Sequence, residues 1–186
     1  MNTRDIFESN LAAIETLKKV ENRVGFATEE EKLVMIKFQG SGGCSQAFYR
    51  NSDKTGTEKN WELEAEALVD VLTDGEYQEQ EARKSVLNAF FTPKDIIDNV
   101  FDFLPKIGNK KLEIYELGCG IGNFLSLMPD DFEFSSYTVL EKDDISARIA
   151  GAIYKENSDI KIINGDFEKD RSQKKYDLII GNLPLW

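Results

Sequence analysis

One stretch restricts the fold of this 186-residue chain more than any other. Leu112–Leu117 reads as a strand, and Gly118-Cys119-Gly120-Ile121-Gly122 follows it directly, opening a helix over Gly122–Met128. A strand that reverses at once into a helix needs backbone conformations that only glycine adopts without strain. Around this segment short apolar runs alternate with helical ones. Thr92-Pro93 supplies a helix start, with Thr92 as N-cap and Pro93 in the first turn. Ile96, Ile97, Val100, Phe101 and Leu104 then form one apolar stripe that Pro105 closes. Tyr137–Glu141 is a strand, Ile145–Tyr154 a helix capped by Asp144, and Ile160–Ile163 and Tyr176–Ile180 are two further strands. Such alternation predicts an α/β domain built on a doubly wound parallel sheet, of which four strands are visible.

The residues before this domain follow a different pattern. Ile6, Leu11, Ile14, Leu17 and Val20 recur at helical spacing, and Thr28-Glu29-Glu30-Glu31 forms a capping box before Leu33, Val34 and Ile36. Gln39-Gly40-Ser41-Gly42-Gly43-Cys44 interrupts the helices. It reads as a flexible loop rather than a phosphate cradle, because no Lys-Ser/Thr follows. Residues 50–60 lack apolar side chains and form an exposed loop, Trp61–Leu72 is helical, and Thr73–Glu76 offers another capping box. The expected division is a helical N-terminal region over 1–88 and a ligand-binding domain over 89–186.

Composition excludes several chemistries. The chain has no histidine, which removes histidine-based triads and imidazole metal sites. Cys44 and Cys119 form no Cys-x-x-Cys pair, so they read as reduced thiols of a cytoplasmic protein, with no metal site. No apolar run approaches the length of a membrane span, and the N-terminus lacks the pattern of a signal peptide. With 23 Lys and Arg against 34 Asp and Glu, the net charge is −11, and neither half of the chain carries a basic stripe. A nucleic-acid substrate would then be gripped mostly by other sequence.

Three acidic residues stand at the carboxyl ends of the predicted strands, where open α/β sheets bind ligands. Glu116 precedes the glycine turn as an acceptor with no phosphate-binding lysine nearby, which suits a cationic amino-acid moiety better than a pyrophosphate. Glu141 ends the next strand, 19 positions after Gly122, at the station where a carboxylate accepts from both ribose hydroxyls. Asp166, in Asn164-Gly165-Asp166-Phe167, ends the third, where it would accept from an adenine amino group while Phe167 flanks the ring. Each has a purely structural alternative: a tight strand–helix turn for the glycines, a solvated carboxylate for Glu141 and an Asx turn for Asp166.

Taken in order, these segments resemble the Rossmann-like class I methyltransferases that bind S-adenosylmethionine. They are most similar to the gamma-type, adenine-specific DNA methyltransferases. Phe90-Phe91-Thr92-Pro93 resembles the upstream motif of that family, Glu116–Gly122 its glycine-rich cofactor motif, and Leu140-Glu141 and Gly165-Asp166-Phe167 its ribose and adenine motifs. Asp177–Trp186 falls where the family places Asn-Pro-Pro-Tyr or Asn-Pro-Pro-Phe. Asn10–Val20, Gln39–Phe48 and Leu87–Thr92 further resemble the large methyltransferase–helicase proteins of phages and mobile elements, where Trp usually stands in place of Ser41.

The resemblance implies S-adenosylmethionine as cofactor, held by Phe91, Thr92, Pro93, Glu116, Gly118, Gly120, Gly122, Glu141, Asp166 and Phe167. It implies DNA as partner and methylation of adenine N6, as in restriction-modification. In that reaction Asn182 and a neighbouring carbonyl accept from the target amino group, and Pro184 and Trp186 complete the site. Leu183 replaces the first proline of the motif, however, and Leu185 takes the aromatic position, leaving Trp186 to stack if the register slips by one. The family sheet has seven strands, so a chain cut after the Asn-x-Pro motif is expected to lack independent turnover. Its fourth strand would offer an edge for self-pairing. The alternative reading is a non-catalytic methyltransferase-fold remnant or interaction module of a mobile element.

Overall fold

The computed structural model describes residues 2–51, 54–83, 92–107 and 111–182. Phe91, Pro184 and Trp186 of the expected site, with Phe90, Leu183 and Leu185, lie outside them. The chain divides into two compact units, Met1–Ala89 and Phe90–Trp186.

The first unit is helical. Helix α1 (Thr3–Glu21) starts in a capping box in which Asn2 and Asp5 exchange side-chain-to-backbone bonds. Its buried face is Phe7, Asn10, Ala13, Ile14, Leu17 and Val20, which keeps the direction of the expected stripe, with Ile6 and Leu11 half-buried at its margin. One member of that face is polar. Buried Asn10 donates to the Gly40 carbonyl at 2.8 Å and accepts from the Gln39 N–H at 2.7 Å. These bonds turn the glycine-rich Gly40–Gly43 segment into the start of an ordered 3-10 stretch, Ser41–Ala47, instead of a flexible loop. Helix α2 (Glu29–Met35) begins at the expected Thr28–Glu31 box but buries Met35, leaving Leu33 exposed. Helices α3 (Glu62–Val71) and α4 (Asp74–Arg83) follow, the latter opened by reciprocal bonds between Thr73 and Glu76.

The second unit holds the expected Rossmann-like α/β architecture. Helix α5 (Lys94–Ile107) leads into strand β1 (Leu112–Leu117), short helix α6 (Asn123–Ser126) and strand β2 (Phe134–Glu141). Helix α7 (Asp144–Tyr154), strand β3 (Ile160–Asn164) and strand β4 (Leu178–Gly181) complete the order. The four strands are parallel and run β3-β2-β1-β4 across the sheet. β1 is central, and its last four residues are all buried, as a strand covered on both faces requires. On one face Ile114, Tyr137 and Val139 pack with Leu125 and Ala150, next to the α5 cluster of Ile97, Phe101 and Leu104. On the other lie Tyr115, Leu117 and Leu140.

Four local expectations are corrected. Asp143, not Asp144, caps α7: its backbone is extended and its Oδ2 accepts from the Ser146 N–H at 2.8 Å. Asp144 becomes the first helical residue and pairs with Arg148. At α5 the Pro93 carbonyl accepts the first bonds, from Ile96 and Ile97, so the cap position shifts from Thr92 to Pro93. That helix also continues through Pro105 to Ile107 instead of closing there, since a proline forfeits one N–H bond without ending the backbone geometry of a final turn. The helix expected over Gly122–Met128 stops at Ser126, just before Pro129.

Candidate functional site

The glycine turn follows from its neighbours. Gly118, Gly120 and Gly122 have φ values of 66°, 58° and 92°, so every second residue occupies the left-handed region that side chains resist. The Gly118 N–H is taken by the Leu140 carbonyl at 2.8 Å, which ties the turn to the end of β2. At Gly122 space is restricted as well: a Cβ there would lie 2.6 Å from the Tyr154 ring, whose hydroxyl donates to the Gly122 carbonyl at 2.9 Å.

Glu141 is the second support of the turn. Its Oε2 accepts from the Gly120 N–H at 2.8 Å and its Oε1 from the Asp143 N–H at 2.7 Å. The carboxylate is 8% exposed, so it is neither the solvated residue of the structural alternative nor remote from the glycines. One side chain thereby joins the turn after β1 to the cap of α7.

Glu116 lies beneath. Side chains alternate along parallel strands, so Ile114, Glu116, Tyr137, Val139 and Glu141 share a face. Glu116 is 1% exposed, and its Oε2 accepts from the Tyr137 hydroxyl at 2.8 Å. Burial pushes its carboxyl up to about 7, the Tyr137 bond opposing and Glu141 adding to the rise. The sign has a consequence for stability. The folded chain holds a proton that the unfolded chain has lost, so this contribution is full below the ordinary carboxylate range and disappears as pH rises through about 7. Glu116→Gln keeps an acceptor for Tyr137 without the charge. It is expected to raise stability by roughly 2 kcal/mol at pH 8 and to change nothing at pH 4, as urea unfolding at the two pH values would show. Equal effects at both would contradict the assignment.

Cys119 sits in the turn and donates to the Gly120 carbonyl. Burial, with Glu116 and Glu141 nearby, lifts its thiol well above the usual range, away from the thiolate that nucleophilic attack needs. Among the described residues, no group of three or more His, Cys, Asp or Glu could hold a metal ion, and no helix is long and apolar enough to cross a membrane.

Asp166 takes the Asx geometry. Its Oδ1 accepts from the Glu168 N–H at 3.1 Å, capping a short 3-10 turn, and its Oδ2 pairs with Lys142 at 2.8 Å. The Lys142 bond, with that N–H, holds its carboxyl below the ordinary range. Phe167 beside it is 53% exposed.

The remaining residues meet at a cavity of about 260 Å³ lined by Thr92, Ile96, Val100, Phe124, Ile180, Gly181 and Asn182. Its position follows from topology. The chain winds outward from β1 to β2 and β3, then returns to place β4 on the other side of β1. Such a reversal opens a crevice at the carboxyl ends of the two strands. Leu117 and Gly181 are register partners there, and Gly181 is needed for the pairing, since a Cβ would lie 2.4 Å from the Leu117 carbonyl oxygen. Thr92 and Asn182, 90 positions apart in the sequence, thus line one cavity. Pro93 adjoins it in sequence, Glu116, Glu141 and the glycines cluster at the turn, and Asp166 follows β3, joined to the end of β2 through Lys142. The sequence reading missed Tyr137, Tyr154, Phe124, Lys142 and Gly181. Only Gly181, inside the Asp177–Trp186 motif, carried a signal.

Comparison with known proteins follows the same pattern. No protein-family model matches the chain. It is 31% identical over 123 residues to modification methylase CviBIII of Paramecium bursaria Chlorella virus NC1A, across 66% of this chain and 32% of that protein. This chain is a relative of modification methylases. A second methylase, type II methyltransferase M.CvrRI of Paramecium bursaria Chlorella virus XZ-6E, is 39% identical over 97 residues, across 52% of this chain and 24% of its own length. The chain therefore spans about a third or less of the methylases it matches. Among solved structures, a provisionally assigned class I S-adenosylmethionine-dependent methyltransferase of Listeria monocytogenes aligns with a TM-score of 0.45 and 16% identity, over 98% of this chain and 58% of that one. At that score it adds nothing further.

Proposed function

We propose that this chain is the cofactor-binding portion of an S-adenosylmethionine-dependent DNA methyltransferase that modifies the N6 amino group of adenine. The observation that carries this reading is the cavity at the sheet reversal, where Thr92 and Asn182 meet beside the glycine turn.

The donor set fits that cofactor. Left-handed glycines let a ligand lie against the backbone. Among the described residues no lysine or arginine acts on the Glu116 carboxylate, leaving it an acceptor for a cationic amino-acid end. Glu141 is fixed by two backbone N–H groups at the end of β2, the station where a carboxylate accepts from ribose hydroxyls. Asp166 and Phe167, at the end of β3, are assigned to the adenine ring. When bound, the cofactor supplies an electrophilic methyl group on sulfonium.

The chain's own part in transfer is to position the nucleophile. Asn182 would accept from the exocyclic amino group of an extruded adenine, aligning its nitrogen lone pair and raising its nucleophilicity. No imidazole base is required, in keeping with a chain that has no histidine. Phe124 and Ile180 line the cavity with apolar surface that excludes water from the approach.

Titration calorimetry with S-adenosylmethionine tests the cofactor reading, with saturable binding in the micromolar range expected; absence of heat between pH 5.5 and 8.5 would sink it. Nucleoside mass spectrometry of DNA modified by a protein containing this chain tests the base: N6-methyladenine supports the assignment, and a methylated cytosine contradicts it.

A further inference from the structure

The glycine turn rests on a cluster of ionisable side chains that cofactor contact alone does not explain. The Glu116 carboxylate is at its centre. Tyr137 faces it from β2 and donates to Oε2 at 2.8 Å, while Glu141 approaches from the end of the same strand. The Cys119 thiol faces it from the turn and the Tyr154 phenol from α7. None of these partners is cationic. Among the described residues no second donor reaches Glu116, so one carboxyl oxygen is held by Tyr137 and Oε1 is left to an incoming group. An acid buried among neutral and acidic neighbours keeps its proton until a positive charge arrives.

We infer that capture of a cationic ligand at the glycine turn expels a proton from Glu116, and that Tyr137 is the positioning residue which holds the carboxyl group for this exchange. The inference rests on reading the turn as the S-adenosylmethionine site. In the exchange the O–H bond of the Glu116 carboxylic acid breaks, the proton leaves to solvent, and the carboxylate pairs with the ligand's ammonium or sulfonium. The Tyr137 hydroxyl donates throughout and favours the ionised form. A carboxyl group poised near neutrality is consistent with this role. Binding should then tighten as pH rises toward neutrality. Tyr137 would set the midpoint of that change without itself touching the ligand.

The test is calorimetric titration of the full chain with S-adenosylmethionine from pH 5.5 to 8.5, in paired buffers of different ionisation enthalpy. About one proton is expected to be released per ligand at pH 6 and almost none near pH 7.5, where the ligand's own amino group begins to titrate, with affinity rising about tenfold per pH unit below the midpoint. Tyr137→Phe keeps the ring but removes the donor. It is expected to move the midpoint up by about one pH unit, weakening binding about tenfold at pH 6 and hardly at all at pH 8.5. Glu116→Gln is expected to bind weakly and without pH dependence, so the assignment stands on a second variant should Tyr137→Phe not fold. Wild-type binding without proton release, a Tyr137→Phe profile superimposed on wild type, or a pH slope that survives in Glu116→Gln would each overturn the inference while leaving the cofactor reading intact. Absence of wild-type binding at every pH would remove both.

Discussion

Gly181→Ala is expected to destabilise the chain by about 3 kcal/mol or more, a cost at the upper end for overpacking. The added methyl would sit 2.4 Å from the Leu117 carbonyl oxygen, and that oxygen belongs to the backbone of the central strand. A flexible side chain would swing aside, but a strand carbonyl moves only if β4 moves with it. The backbone of Gly181 is not in the left-handed region, so alanine is unfavourable here through space alone. Because Gly181 and Asn182 both line the cavity, the same shift should displace Asn182. Urea unfolding of the variant checks the first expectation. Unchanged stability would mean that β4 is not seated against β1 as described.

The second large effect is expected at Glu141. Glu141→Ala leaves the N–H groups of Gly120 and Asp143 without the carboxylate that accepts from them. An unsatisfied buried donor costs roughly 1–3 kcal/mol, so a total of about 3 kcal/mol is expected. Glu141→Gln should come within about 1 kcal/mol of alanine, contrary to its conservative appearance. The reason is geometric: an amide offers one oxygen and one NH2, so one of the two N–H donors would meet another donor. On the proposed reading both variants also weaken S-adenosylmethionine binding by at least about 100-fold, since the ribose acceptor and the shape of the turn go together. A Glu141→Gln protein as stable as wild type would show that the two-oxygen bridge is unimportant.

The second unit was largely legible in advance because its information is local. Leu112–Leu117 has the length of a strand, three alternate glycines follow it, and the strand–helix alternation leaves little choice but a parallel sheet. Glu116 and Glu141 could be singled out as candidates because strand ends are visible in sequence. The details that failed depended on contacts between distant residues. Nothing around Asn10 announces that its side chain will bridge Gln39 and Gly40, yet that bridge ties α1 to the glycine segment. Tyr137 and Tyr154 read as ordinary core residues because their hydroxyl partners, Glu116 and the Gly122 carbonyl, lie on other elements. The choice between Asp143 and Asp144 as cap turned on one backbone angle, in a run of adjacent acids that pattern alone does not separate.

Strand order also governs when the site comes into being. β1, β2 and β3 are neighbours in both sequence and space, whereas β4 must return across the intervening chain to reach β1. The contact that seals this return, Asp177 Oδ2 with the Glu113 N–H at 2.9 Å, spans 64 positions. Pairings of such long range carry the largest loop-closure cost and form late. An intermediate with the first three strands in place would hold the glycine turn, Glu116 and Glu141, but would have no cavity for Asn182 to line. Hydrogen exchange should reflect the same hierarchy, with the β4 amides opening more readily than those of β1 and β2. The part of the molecule assigned to the target base is therefore the last to assemble and the first to come apart.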